Sequence, residues 1–481
     1  MELPGGERAD VAVSQTGADP GPAGADGLTP GTSAGGRIAA VTAVGTLRAR
    51  RGDQEVDGHG GALLPGLADR HLHLLAMAAA RASVNCGPPE VNSPRALSHA
   101  LRGMARTTSG SWVRGVGYHE SVAGELDRDA LDALAPDVPV RLQHASGALW
   151  MLSGTAVRRL GLDGPDVALP AGAECDHDGR FTGRLWREDI WLRQRLGLTA
   201  EPDLGAVGRQ LAAYGITSVR DATPDLDEGA VRLLTRAGAE GRVPQRITLL
   251  GVPTAAVPPG CRITVGARKL LLPDHDLWEW GDFLERIRAA REDSGRPVAV
   301  HCVTREALIL TLAVLREVGT VPGDTIEHAA VVPPELRVSL RELGLRVITQ
   351  PAFVAERGDR YLREVDPDDL PWLYPYASLV RAGVPVAAAS DAPYGTADPW
   401  AVLRAARDRS TGSGRVLGAE ERVGVRRALA DMLSAPRVEP GAPADLCLLR
   451  TGLRAAIAAP DARAVRMTLC DGRVVHGGQA G

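Results

Sequence analysis

Lysine is all but missing from this 481-residue chain: Lys269 stands alone among fifty-four arginines. A drift toward arginine replaces lysine wherever any positive charge will do, so the survivor points to work a guanidinium cannot perform. Only an amine with an accessible neutral form can act as a nucleophile or be carboxylated. Aromatic residues are scarce too, at 4%, and core packing claims most of them; Trp150, Trp186, Trp372 and Tyr394 are the candidates for lining an apolar pocket. The six cysteines (Cys86, Cys175, Cys261, Cys302, Cys447, Cys470) contain no CxxC pair. That disfavours a disulfide framework and a thiolate zinc site. No apolar run approaches the ~18 residues that span a bilayer. The N-terminus, MELPGGERAD, has neither region of a secretory signal. Fifty-five basic against fifty-nine acidic side chains give a net charge of -4, which leaves no footprint for nucleic acid or an anionic membrane. A cytoplasmic enzyme with a small-molecule substrate is the expectation, homo-oligomerisation being left open.

The length suits about three domains, or one large α/β barrel with appendages. ADVAVS and GRIAAVTA read as strands, and the Gly, Ala, Pro and Thr-rich stretch Gly17 to Gly36 between them as a loop. From GGALLPGLADRHLHLL onward, β-type runs alternate with helical ones. The runs are Ala62–His73, Val140–His144, Gly215–Asp221, Ile263–Leu272, Pro297–His301, Asp324–His328, Arg346–Gln350 and Pro385–Asp391. Eight such runs are what a (β/α)8 TIM-like barrel requires. Helices are expected over Arg305–Val318, Pro333–Leu343 and Pro399–Arg409. The span 86–139, with its own strand (SWVRGVGY) and helix (DRDALDAL), reads as an insertion after the first barrel strand, and Leu160–Leu204 as a second one. Both chain ends are β-rich, so residues 1–61 and 437–481 are expected to form one small composite β-sandwich beside a barrel of residues 62–436.

Four histidines end strand-like runs. His71 and His73 lie two apart and so share a face. His301 ends RPVAVH, His328 ends DTIEH, Asp391 ends PVAAASD, and Lys269 lies inside ITVGARKLLL. In a barrel, strand ends converge on one mouth, where active sites of this fold are built. HxH alone is weak, and a strand-end His or Asp often only caps the next helix. Their joint occurrence is what points to a divalent metal. Imidazole with carboxylate suits zinc, and the lack of cysteine favours an open catalytic site. His144 and His119, the latter beside Tyr118 and Glu120, are secondary candidates for stabilising an oxyanion or contacting substrate. Cys302 follows His301 and should point into the core.

PGLADRHLHL resembles the PGxxDxHxH signature of the amidohydrolase superfamily. VAVHCVTREAL, DTIEHAAVVPPEL, LGLRVITQPAFV and AGVPVAAASDAPYGTADPW resemble, in order, the later motifs of its N-substituted formamide deformylase-like branch. The resemblance implies a distorted barrel, a β-sandwich built from both termini and one or two divalent ions. It implies His71, His73, His301, His328 and Asp391 as ligands, and Lys269 as the barrel lysine that is often carboxylated by CO2 and bridges two metals. The chain departs from the pattern at Arg70, and at Ala148 and Ser153, where a histidine and an asparagine are usual. These departures concern the substrate pocket.

The chemistry expected is hydrolysis of a C–N bond in an amide, formamide or cyclic amide. A metal lowers the pKa of bound water toward ~7, and Asp391 serves as general base and acid. Two alternatives stand beside it. One is hydrolytic deamination on a mononuclear centre, with Glu306 as the acid, although deaminases of this superfamily usually lack the barrel lysine. The other is a catalytically silent barrel serving as a binding scaffold, which should have lost several ligands.

Overall fold

Short strands buried at every position, such as Leu67–Leu72 and Thr325–His328, belong to parallel sheets, as coverage of both faces by crossover helices requires. The computed structural model describes residues 1–14, 35–49, 53–107, 112–164, 167–197, 201–257, 262–274 and 276–477. The chain divides into two units, Met1–Leu74 with Leu204–Gly481, and Leu75–Asp203.

In the larger unit, one parallel sheet has the order Ile263–Val265, Arg246–Leu249, Ile216–Asp221, Leu67–Leu72. A second runs Arg268–Leu270, Val298–Cys302, Thr325–His328, Arg346–Thr349, Val386–Ala388. The sheets meet at two seams. At Gly266, a Cβ would lie 2.7 Å from Thr248 Cγ2, so glycine lets the chain pass close to its neighbour while Lys269 N donates to Leu250 O. At the other, Asp391 N donates to His71 O and His73 N to Ala392 O, both at 2.8 Å, beside a parallel bridge between Leu72 and Ala392. The strands alternate with helices, giving a TIM-barrel-like α/β arrangement.

Arg305–Val318 is helical over the expected residues, started by Thr304, whose hydroxyl accepts from Ala307 N. The next two expected helices are Pro334–Glu342 and Pro399–Asp408. Three strand expectations need correction. Ala62–His73 is split at Gly66: Leu63–Pro65 pairs antiparallel with Leu446–Leu449, and only Leu67–Leu72 enters the parallel sheet. Val140–His144 belongs to the smaller unit, and Arg246–Leu249 takes the place assigned to it. VRLQH alternates apolar and polar residues over its first four positions, as a sheet with two different faces demands, whereas Leu67–Leu72, Thr325–His328 and Val386–Ala388 are buried at every position. Ile263–Leu272 is broken in two at Gly266.

The smaller unit has a six-stranded mixed sheet in the order Val84–Asn85, Val113–Tyr118, Val140–His144, Leu149–Leu152, Phe181–Trp186, Ala173–Cys175. Leu97, Leu101, Val113, Leu142 and Met151 fill one apolar cluster; Trp150, Leu152, Phe181 and Leu185 fill another. Near the chain ends, Ala9–Ser14 pairs with Arg37–Ala43. A four-stranded antiparallel sheet has the order Arg473–His476, Val465–Cys470, Leu446–Leu449, Leu63–Pro65. Ile38, Leu63, Leu446, Leu448 and Met467 share one apolar cluster. The expected Gly17–Gly36 loop lies, except for its last two residues, outside the described residues, as does Cys261. Among the described residues no helix is long and apolar enough to cross a membrane.

Candidate metal centre

His71, His328 and Asp391 converge within the larger unit, each offering a ligand atom within 4.8 Å of the others. All three are buried. His73 joins them, its Nε2 lying 3.1 Å from Asp391 Oδ1, against 3.5 Å for His71 Nε2. The His301 ring centroid is 4.6 Å from that of His328, and His301 Nε2 lies 3.4 Å from Asp274 Oδ1. Two of these positions require unusual backbone. His328 (φ 69°) and Asp391 (φ 55°) have positive φ, a conformation that costs a residue with a Cβ backbone strain.

Neighbouring groups determine which imidazole nitrogen is bare. His71 Nδ1 donates to Glu327 Oε2 at 2.5 Å. His328 Nδ1 donates to Gln350 Oε1 at 2.9 Å, and Gln350 Nε2 donates in turn to Ile348 O. With both Nδ1 protons engaged, each Nε2 keeps its lone pair, the arrangement found around metal-bound histidines. His73 Nδ1 is 2.9 Å from Thr223 Oγ1. Asp69 accepts from the backbone N–H groups of His71 and Ser390, tying together the segments that carry His71 and Asp391.

Burial, reinforced by the Lys269 charge, lowers the His71 pKa to about 4, and burial likewise lowers His301 and His328. These imidazoles are neutral at neutral pH, as ligands must be. Burial works against ionisation of Asp391, but the adjoining His71 imidazole, the hydrogen bond from His73 and the His328 imidazole outweigh it and hold the carboxyl well below the usual range. Glu327 is held low in the same way by His71, Lys269 and Arg220. Lys269 is buried, and its Nζ has no hydrogen-bond partner among the described residues. Burial lowers its pKa, against the pull of Glu327 and Asp391.

The other sequence candidates are spread over both units. His144 and His119 belong to the smaller unit and cluster with Glu120, whose Oε2 is 3.1 Å from His144 Nε2. Their Nδ1 atoms accept from the Ser121 and Ser146 backbone N–H groups, so each neutral ring carries its proton on Nε2, the reverse of His71 and His328. A third cluster, Asp176–His177–Asp178, is fully exposed. Tyr394 packs edge-on to His73 at 5.4 Å. Trp372 packs beside Leu373 and Phe353, Trp150 is buried in the smaller unit, and Trp186 is exposed. Cys302 is buried, with Sγ 3.3 Å from Thr311 Oγ1. Glu306 is exposed beside Arg305. Arg70 donates to Asp431 O and Leu433 O at a helix C-terminus, and Ser153 caps the helix Gly154–Arg159.

Sequence reasoning missed Glu327, Gln350, Thr223 and Asp69. Glu327 stood inside the quoted DTIEH, and the period-two rule sets it on the opposite face from His328. The left-handed turn at His328 lifts that restriction.

Residues 54–476 match the family model described as amidohydrolase family, and the chain belongs to that family. It is 27% identical over 462 residues to the N-substituted formamide deformylase of Arthrobacter pascens, covering 82% of this chain and 83% of that one. It is 24% identical over 420 residues to the putative amidohydrolase YtcJ of Bacillus subtilis (strain 168), covering 73% and 74%. Among solved structures, an uncharacterized metal-dependent hydrolase from Pyrococcus horikoshii OT3 shares the fold, with a TM-score of 0.66, 20% identity, and coverage of 91% and 95%.

Proposed function

We propose that this amidohydrolase is a metal-dependent hydrolase that splits a carbon–nitrogen bond in an amide, formamide or cyclic amide with an activated water. The observation that carries the reading is the convergence of two buried imidazoles, His71 and His328, with the Asp391 carboxylate, where the Glu327 hydrogen bond leaves His71 Nε2 bare and 3.5 Å from Asp391 Oδ1. Such a donor set of neutral imidazole and carboxylate fits zinc or a similar borderline ion. His71, His73, His301, His328 and Asp391 would hold one or two ions. Lys269, with its Nζ buried and unbonded, would join them as a carbamate: the neutral amine attacks CO2, forms the N–C bond and sheds a proton. An ammonium at this position would instead repel a cation.

A divalent ion, when bound, supplies a water ionising near pH ~7 and a Lewis acid for the carbonyl oxygen. Asp391, held as the carboxylate, accepts the proton of the attacking water and delivers it to the departing nitrogen. Glu327 and Gln350 keep His71 and His328 in the required tautomer and orientation. The name of the Arthrobacter relative brings N-formyl compounds into the substrate panel.

The test is amine release from N-formyl, N-acyl and cyclic amides by the purified chain, with zinc or manganese supplied and after exhaustive chelation. The reading expects turnover that chelation removes and metal restores, together with one to two ions per chain by elemental analysis. Full activity in a metal-free preparation would overturn it.

A further inference from the structure

Within the Leu75–Asp203 unit, Arg114 and Arg141 are direct register partners on adjacent parallel strands. Like charges placed opposite one another destabilise a sheet. Both guanidinium carbons lie over Trp150, at 5.1 and 6.0 Å from its ring centroid, where the ring face attracts a cation. Arg114 donates to Ser83 Oγ at 2.6 Å and to Gln143 Oε1 at 3.1 Å. Asp189, which accepts the Trp150 indole proton, also acts on it.

Arg141 differs. It is half-buried, its side chain has no hydrogen bond or ion pair with the described residues, and its Nε is sealed from solvent without a partner among them. Burial, then the Arg114 charge, lowers its pKa to about 10, so it remains charged at neutral pH. An unpaired, partly desolvated guanidinium beside a second one is costly in the free protein. A planar fork of N–H donors is also what recognises oxyanions with two parallel bonds.

We propose that Arg114 and Arg141 form a binding site for a small oxyanion, carboxylate or phosphate, held against the edge of Trp150. The site uses none of the residues assigned to hydrolysis.

The experiment titrates the full chain with sodium acetate, sodium succinate and sodium phosphate at constant ionic strength, by calorimetry and thermal shift. One oxyanion is expected to bind saturably and raise the melting temperature. Arg141→Met and Arg114→Met should each weaken that binding at least tenfold, with Arg141→Lys between them and the wild type. Saturation by a carboxylate alone assigns an organic acid; saturation by phosphate alone assigns a phosphate group. In anion-free buffer Arg141→Met should melt at or above the wild-type temperature, because it removes an unpaired charge. A markedly lower melting temperature would make Arg141 a structural residue and overturn the proposal. Equal responses of wild type and Arg141→Met to every anion would do the same. Crystals soaked in selenate provide a check independent of variant folding: anomalous density between the two guanidinium groups supports the site, and density only elsewhere overturns it.

Discussion

Glu327 and His71, 256 positions apart, share a 2.5 Å hydrogen bond from which solvent is excluded. The carboxylate holds the imidazole proton on Nδ1 and turns Nε2 toward Asp391.

Glu327→Gln keeps the shape and removes the charge. Metal affinity is expected to fall by about 10–100-fold, the usual effect of losing a partner behind a metal-bound histidine. Competition against a chromophoric chelator measures it.

Lys269→Ala and Lys269→Arg should both abolish turnover, since neither side chain can carry a carbamate. Formate or acetate should partly restore the alanine variant by occupying the vacated space as a carboxylate. Initial rates with and without added acid decide the matter, and an arginine variant of undiminished rate would remove the carbamate role.

Arg409 is buried, at 1% exposure, and donates to Leu417 O, Tyr374 O and Leu373 O at 2.7–3.0 Å. Arg409→Met strands three carbonyls. A loss of roughly 2–4 kcal/mol is expected for several buried acceptors left unpaired, readable as a lower urea midpoint.

Asp163 accepts two hydrogen bonds from the buried Arg128, and these hold its carboxyl below the ordinary value. A carboxyl depressed in the folded state stabilises above its unfolded pKa of about 3.9, and the contribution is lost as pH falls through the lower folded value. Asp163→Asn should therefore melt below the wild type at pH 7, and the gap should close below pH ~4. Paired melting curves across pH 2.5–7 test this.

Much of the architecture could be read from the chain because short β-type runs alternate with helical ones: RPVAVH and DTIEH became Val298–Cys302 and Thr325–His328. Arg246–Leu249 escaped because four residues between helices carry little period, and VRLQH misled because it is a strand in another sheet. The convergence of His71, His328 and Asp391 was foreseeable from strand ends. The supporting groups were not. Thr223 and Gln350 act through contacts closed by tertiary packing alone, and no local spacing marks them.

The left-handed backbone at His328 and Asp391 also limits what laboratory evolution can explore. Valine, isoleucine and threonine are disfavoured at both positions by their branched Cβ, whatever the reaction under selection. Asparagine, which tolerates that conformation, is the natural charge-neutral replacement at 391. Libraries aimed at new substrates would do better to leave these two codons alone and diversify the surroundings of Tyr394.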